Sequence, residues 1–295
     1  MYFNEDTVLF MDGTFIHASE AGVNPYSQTL HYGMGVFEGL RAYQTVHGTK
    51  IFRATEHFNR LAQSCALLGL PFDYSTEELT QISYQLLEKN ELTSAYIRPL
   101  VISAPKMTLE AASSTTVVMA AWKWGKYFGE KSLRVCISTI ERISPRACRV
   151  EAKVSGHYVN AMMAAAEAKK RGYDESIMLD GNGFVAQAPG ANLFYEKDGV
   201  LFTSPEGSIF PGITRSTVLD ICRQLDIPVV EKNFKPEQLL DADAAFLCGT
   251  ATEITPIISV EGNSVNLPWE RSLSFSIQEA FKSLVLDKSY SYVIV

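Results

Sequence analysis

One stretch gathers residue types that could do chemistry: Val150-Glu151-Ala152-Lys153-Val154-Ser155-Gly156-His157-Tyr158. Lys153 follows an arginine-rich segment broken by Pro145, and it precedes Ser155-Gly156 and a helix-like run over 158–171. A lysine at the mouth of a helix can be held in a cleft and partly desolvated. Desolvation favours the neutral amine, which is the form that adds to a carbonyl. Tyr158 brings a phenol that could hydrogen-bond the same bound group. On local grounds alone a solvated surface charge is the default reading of a lysine.

Two further stretches could hold an anion. Phe210-Pro211-Gly212-Ile213-Thr214-Arg215 opens a helix running to about residue 225. Its start offers backbone N–H groups, a hydroxyl and the positive end of the helix dipole; ordinary capping is the plainer alternative. A buried strand over 244–248 runs into Gly249-Thr250-Ala251-Thr252, a hydroxyl-rich turn whose N–H groups could face a carboxylate or phosphate. Arg53 and Arg98 stand at predicted strand ends.

The elements that must position these residues fall into two halves. A hairpin over 8–18 turns on Asp12-Gly13, and a second pairing crosses His47-Gly48. Three glycines among aromatics in Tyr32-Gly33-Met34-Gly35-Val36-Phe37-Glu38-Gly39 read either as close approach to something flat or as a tightly packed turn. A helix over 55–68 buries Phe58, Leu61 and Cys65, and another starts at Ser75 with Glu78 completing a capping box. Strands are predicted over 94–103 and 115–122. The aromatic segment around Trp124 and Tyr127 reads as a connector, giving domains at 1–123 and 133–295 joined by 124–132. The second domain holds a strand over 133–138, the helix over 158–171 closed by Gly172, a hairpin over 176–186, and a last helix over 272–286.

Composition narrows the class. The 295 residues are 46% hydrophobic and 20% charged with net charge −7, a globular balance with no basic block for nucleic acid. The five cysteines are scattered without a CxxC pair and the histidines show no ligand spacing, so no metal site is expected. The start has no basic, then apolar, leader and no run is long enough to span a bilayer, so a cytoplasmic, membrane-free protein is expected. A reactive lysine, two anion cradles and an aromatic interdomain wall together suit a cofactor that carries both a carbonyl and a phosphate. Pyridoxal phosphate fits.

The chain resembles the branched-chain amino-acid aminotransferases, fold-type-IV pyridoxal-phosphate enzymes. The resemblance lies in His31-Tyr32-Gly33, Val36-Phe37-Glu38-Gly39-Leu40-Arg41, Phe52-Arg53, Tyr96-Ile97-Arg98-Pro99, Trp124-Gly125 and Ala152-Lys153. It continues in Asn192-Leu193-Phe194, Gly212-Ile213-Thr214-Arg215 and Gly249-Thr250-Ala251-Thr252-Glu253. It implies a two-domain α/β (α+β) fold like that of D-amino-acid aminotransferase, with the cofactor between the domains. It implies Lys153 as the Schiff-base lysine and proton carrier, Tyr158 on the cofactor's phenolic oxygen, and Arg53, Ile213, Thr214 and Thr250 on its phosphate. Tyr96, Thr250 and Ala251 would take the substrate α-carboxylate. Arg98 and Tyr32 would take the side-chain carboxylate of glutamate or 2-oxoglutarate, with Tyr32 offered by a neighbouring subunit of a homodimer or larger assembly. Phe37, Trp124 and Tyr127 would line an apolar pocket for leucine, isoleucine or valine.

One departure stands out. Where the family places a glutamate against the pyridine nitrogen, this chain reads Gln187-Ala188-Pro189-Gly190-Ala191-Asn192. An amide can hydrogen-bond that nitrogen but cannot supply the charge that keeps it protonated. The alternatives are a D-amino-acid or amine transaminase, an aminodeoxychorismate lyase, or a cofactor-binding protein with weakened catalysis.

Overall fold

A computed structural model gives the structure of the chain, and residues 2–288 are described. They form two compact units. The first runs to Gly125 and takes in Ala152–His157; the second is Lys126–Glu151 together with residues 158–288.

The first unit is built on an antiparallel sheet of seven strands. These are β1 (Val8–Met11), β2 (Thr14–His17), β3 (Gly35–Phe37), β4 (Leu40–Thr45), β5 (Gly48–Ile51), β6 (Ala95–Ser103) and β7 (Thr115–Trp122). Their order is β2-β1-β7-β6-β4-β5, with β3 also paired to β6. The predicted Asp12-Gly13 hairpin forms, with φ of 43° and 89° at the two turn residues, as a tight two-residue turn requires. A short helix α1 (Gln28–Tyr32) closes on Gly33 in the left-handed region. Helices α2 (Ala54–Leu67) and α3 (Thr76–Lys89) cover the sheet, and the Ser75–Glu78 capping box starts α3. Phe58, Leu61, Leu79 and Leu86 are fully buried with Val36, Leu40, Ile97 and Met119. Truncating any one of these leucines to alanine removes roughly 2–5 kcal/mol of packing.

The second unit holds a mixed sheet of nine strands. They are β8 (Leu133–Ile137), β9 (Glu175–Leu179), β10 (Val185–Gln187), β11 (Asn192–Lys197), β12 (Val200–Thr203), β13 (Val229–Glu231), β14 (Ala244–Gly249), β15 (Glu253–Val260) and β16 (Asn263–Ser264). The order is β10-β9-β8-β15-β14-β11-β12-β13, with β16 on β15. Helix α4 (Tyr158–Lys170) packs on β9, while α5 (Ile213–Gln224) and α7 (Leu273–Val285) pack on β14; α6 (Pro236–Leu240) precedes β14. Residues 244–248 are buried without alternation, the mark of a central strand covered on both faces.

The sequence reading put Lys153 in the second domain. The structure instead folds Ala152–His157 onto the first unit, because this segment pairs with β3. Phe37 N–H donates to Lys153 O at 3.1 Å and Gly156 N–H to Gly33 O at 3.0 Å, and Val154 bridges Val36.

Candidate functional site

Lys153 is fixed at its backbone from two sides. Its carbonyl is held by Phe37 as above, and its N–H donates to Ser64 Oγ of α2 at 3.2 Å. Gly33 permits the close approach of the segment: a Cβ there would lie 2.6 Å from Gly156 Cα. A Cβ on Gly39 would overlap the Tyr96 hydroxyl. These glycines therefore serve close packing of protein on protein. The Lys153 Nζ stands 5.3 Å from the centre of the Phe37 ring.

Tyr96 and Arg98 lie two apart on β6 and so share a face of the sheet. Arg98 Nη2 donates to Tyr96 Oη at 3.1 Å. The guanidinium carbon lies 4.8 Å from the Phe37 ring centre and 5.2 Å from that of Tyr96. Arg98 Nε is buried with no hydrogen-bond partner among the described residues. A buried donor left unpaired costs roughly 1–3 kcal/mol, so Arg98 is a ready receptor for an anion. Trp124 meets Tyr96 edge-on with centroids 4.9 Å apart. Its backbone is stapled by Arg41, which sits opposite Tyr96 on β4 and donates to the carbonyls of Trp124 (2.9 Å) and Gly125 (2.7 Å). Phe37, Tyr96, Arg98, Trp124 and Lys153 are thus brought together.

Two predicted residues of this unit stand differently. Arg53 adopts φ 49° as the residue before α2, and its Nε donates to Glu56 Oε1 at 2.7 Å. Tyr32 is half exposed, with its hydroxyl donating to Met107 O at 3.2 Å.

Sequence reasoning missed a buried charge cluster behind Phe37. Glu38 is fully buried and accepts from His57 Nδ1 (2.8 Å), Arg60 Nε (2.6 Å), Arg60 Nη2 (2.9 Å) and the Gly39 N–H (3.2 Å). Burial pushes its carboxyl up, but the Arg60 charge and the His57 hydrogen bond outweigh it and hold the group far below the usual carboxylate range. Burial depresses His57, against the pull of Glu38, and the charges of Arg60 and Lys153 act in the same direction as burial.

In the second unit, Tyr158 is the first residue of α4. Arg142 acts electrostatically on it: burial lowers the Arg142 guanidinium to about 10, against the opposing effect of Tyr158. Gln187 is buried, its Oε1 accepting the Phe210 N–H at 2.6 Å and its Nε2 donating to Ala188 O at 3.1 Å. Its oxygen is thus committed to the backbone, so the amide offers only an N–H to any further group. Ile213 and Thr214 open α5 behind Gly212, an N-cap residue with no side-chain cap. Thr250 and Ala251 lie in the turn between β14 and β15, and Ala251 O accepts the Tyr127 N–H at 2.9 Å. That turn abuts the one after Gln187, since a Cβ on Gly249 would lie 3.3 Å from Gly190 O.

A family model, Amino-transferase class IV, matches residues 35–260. A branched-chain-amino-acid aminotransferase of Pseudomonas aeruginosa is 37% identical over 98% of this chain and 96% of its own length. The chain belongs to the branched-chain amino-acid aminotransferases of class IV. The family's fold covers 96–97% of the chain in the solved structures that match it. A branched-chain aminotransferase of Thermoproteus uzoniensis, solved with norvaline, matches with a TM-score of 0.92 and 38% identity, covering 96% of both chains. A branched-chain amino acid aminotransferase of Thermobaculum terrenum, solved in its PLP-bound holo-form, matches with a TM-score of 0.89 and 27% identity, covering 97% of this chain and 96% of that one. The expected α/β architecture of fold type IV is therefore the observed one.

Proposed function

We propose that this aminotransferase moves the amino group of leucine, isoleucine or valine to 2-oxoglutarate with pyridoxal phosphate. The observation that carries the reading is the grouping of the Lys153 amine and the unpaired Arg98 donor around one apolar ring, Phe37. An amine for a carbonyl, a cation for a carboxylate and an aromatic wall for a branched side chain are the three groups the two substrates demand. The donor set also suits the cofactor. Lys153 would meet its carbonyl, Tyr158 its phenolic oxygen, and the uncapped start of α5 with Thr214 and Thr250 its phosphate. Arg53 would be a supporting phosphate ligand, since Glu56 already engages it.

When bound, pyridoxal phosphate supplies an aldehyde that bonds the amino group and a ring that takes up the electron pair of the broken Cα–H bond. Lys153 carries that proton, and its doubly anchored backbone keeps the amine in reach of the carbon. Tyr96 and the Thr250-Ala251 turn orient the α-carboxylate. Phe37, Trp124 and Tyr127 exclude water around an aliphatic side chain. The exposed apolar residues Tyr26, Leu30, Tyr32, Met107 and Leu109 support a homodimer in which Tyr32 serves the neighbouring subunit.

The test is the visible spectrum and product analysis of the protein loaded with pyridoxal phosphate. L-Leucine with 2-oxoglutarate should yield glutamate and shift the visible band. Turnover of D-alanine or aminodeoxychorismate in place of L-leucine would overturn the substrate assignment. Arg98→Ala should lower kcat/KM for glutamate and 2-oxoglutarate by roughly 10–100-fold while costing leucine far less. Only the dicarboxylates present a second carboxylate to it, and a charge-assisted bond is worth roughly 1.5–3 kcal/mol. Equal losses for both substrate types would remove Arg98 from side-chain recognition.

Gln187 favours a second reading, a cofactor-binding protein with slowed catalysis. With its oxygen fixed on the backbone, the amide could offer a bound ring nitrogen only an N–H, which would favour the unprotonated nitrogen and a weaker electron sink. Gln187→Glu should then speed Cα–H proton removal from L-leucine in a stopped-flow half-reaction, each tenfold corresponding to ~1.4 kcal/mol. An unchanged or slower half-reaction would mean that another group sets the protonation of the ring.

A further inference from the structure

Both backbone polar groups of Phe210 are taken by buried side chains. Its N–H donates to Gln187 Oε1 at 2.6 Å, and its C=O accepts from Asn192 Nδ2 at 3.0 Å. Gln187 and Asn192 are 4% and 5% exposed, so both carboxamide residues are themselves withdrawn from bulk water. The two side chains come from one tight turn. Gln187 ends β10, Asn192 opens β11, and Ala188 N–H donates to Ala191 O at 3.0 Å between them. The orientation of each amide is dictated by its partner: an oxygen must face the N–H and a nitrogen the C=O. Gln187 is further locked by its donation to Ala188 O at 3.1 Å.

The clamp reaches as far as the start of α5. Asn192 Oδ1 lies so close to Gly212 that any Cβ there would overlap it. Gly212 has φ −74° and ψ 130°, values open to any residue, so the glycine is explained by the nearness of Asn192 and not by its backbone. A helix start is ordinarily fixed by the side chain of its own N-cap residue. Gly212 has none, and the chain entering α5 is held by two carboxamides from a neighbouring turn instead.

We propose that Gln187 and Asn192 are positioning residues that clamp Phe210–Gly212 and so set the first turn of α5, Ile213 and Thr214, for the phosphate of the cofactor. This rests on the assignment of that phosphate to α5 made above. Backbone N–H groups stabilise an anion strongly only when they are aimed before it arrives. Removing the Gln187 oxygen takes away the acceptor that fixes the Phe210 N–H, and the loop is then free to shift. Replacing Asn192 with aspartate puts an anion against the Phe210 carbonyl with the same effect.

The proposal is tested on the apoprotein by the affinities of pyridoxal 5'-phosphate, pyridoxal and inorganic phosphate. The informative quantity is the Kd ratio of pyridoxal to pyridoxal 5'-phosphate, which isolates the phosphate. Gln187→Leu and Asn192→Asp should each cut this ratio, and the affinity for inorganic phosphate, by about tenfold, which corresponds to ~1.4 kcal/mol. Gln187→Glu keeps an oxygen toward Phe210 but loses the donation to Ala188 O, and should cut the ratio less than Gln187→Leu does. Asn192→Asp is nearly isosteric and carries the test if Gln187→Leu does not fold. A folded Asn192→Asp protein with the wild-type ratio would overturn the clamp. A wild-type protein with no preference for the phosphorylated ligand would overturn the α5 assignment and the clamp with it.

Discussion

Lys153→Ala is expected to abolish turnover of L-leucine with 2-oxoglutarate and to remove the visible absorbance of the covalently held cofactor. Lys153 is asked to do two things. In the proposed reading it would bond the cofactor carbonyl and carry the proton between substrate and cofactor. Loss of a positioned proton carrier alone lowers rates by roughly 10²–10⁴-fold, so the combined loss should exceed about 10⁴-fold. The backbone contacts of Lys153 with Phe37 and Ser64 do not involve its side chain, so the alanine variant should keep the path of this segment. It should also still bind pyridoxal 5'-phosphate reversibly through the phosphate-binding groups proposed for the second unit. Borohydride reduction should then fix the cofactor to the wild-type protein and leave the variant unlabelled. Labelling of the variant on another lysine together with near-normal turnover would move the chemistry elsewhere.

The two kinds of residue in this site differ in how far the sequence discloses them. Turn and cap chemistry is local, so Asp12-Gly13, the Ser75–Glu78 box and the Gly172 stop each forecast the element that forms there. Lys153 was legible only through the motifs that surround it, because nothing in a short window distinguishes a held lysine from a solvated one. The fold-back of its segment onto β3 was not legible at all. It depends on Val154 finding Val36 and on Gly33 admitting Gly156, pairings made across more than a hundred residues. Glu38 was quoted as part of a motif without a role. Its partners His57 and Arg60 lie 19 and 22 residues away, although a carboxylate inside the apolar run Val36 to Leu40 was itself a signal. A histidine and an arginine three apart on the buried side of α2 were the other half of that signal.

That cluster carries the largest stability effect expected in the first unit. Glu38→Gln keeps the shape and some of the hydrogen bonds of the carboxylate but removes its charge, so the largely buried Arg60 guanidinium loses that anion. Breaking a buried pair from one side costs roughly 3–5 kcal/mol, most of it the uncompensated charge that remains. Urea unfolding should show the loss as a lower midpoint at unchanged slope. Removing both charges, as in Glu38→Leu with Arg60→Met, should recover much of it, because no ion is then stranded. The wild type should lose stability in acid in two stages. His57 is depressed from its ordinary 6.5, so below that pH the unfolded chain takes up a proton that the folded chain refuses. Glu38 is depressed from 4.5, so its contribution is whole above that pH and is lost as pH falls toward its folded value. His57→Gln should abolish the first stage and leave the second. A wild-type protein equally stable at pH 7 and pH 5 would show that the fold does not refuse the His57 proton, and a Glu38→Gln loss under about 1 kcal/mol would show that the carboxylate is not what neutralises Arg60.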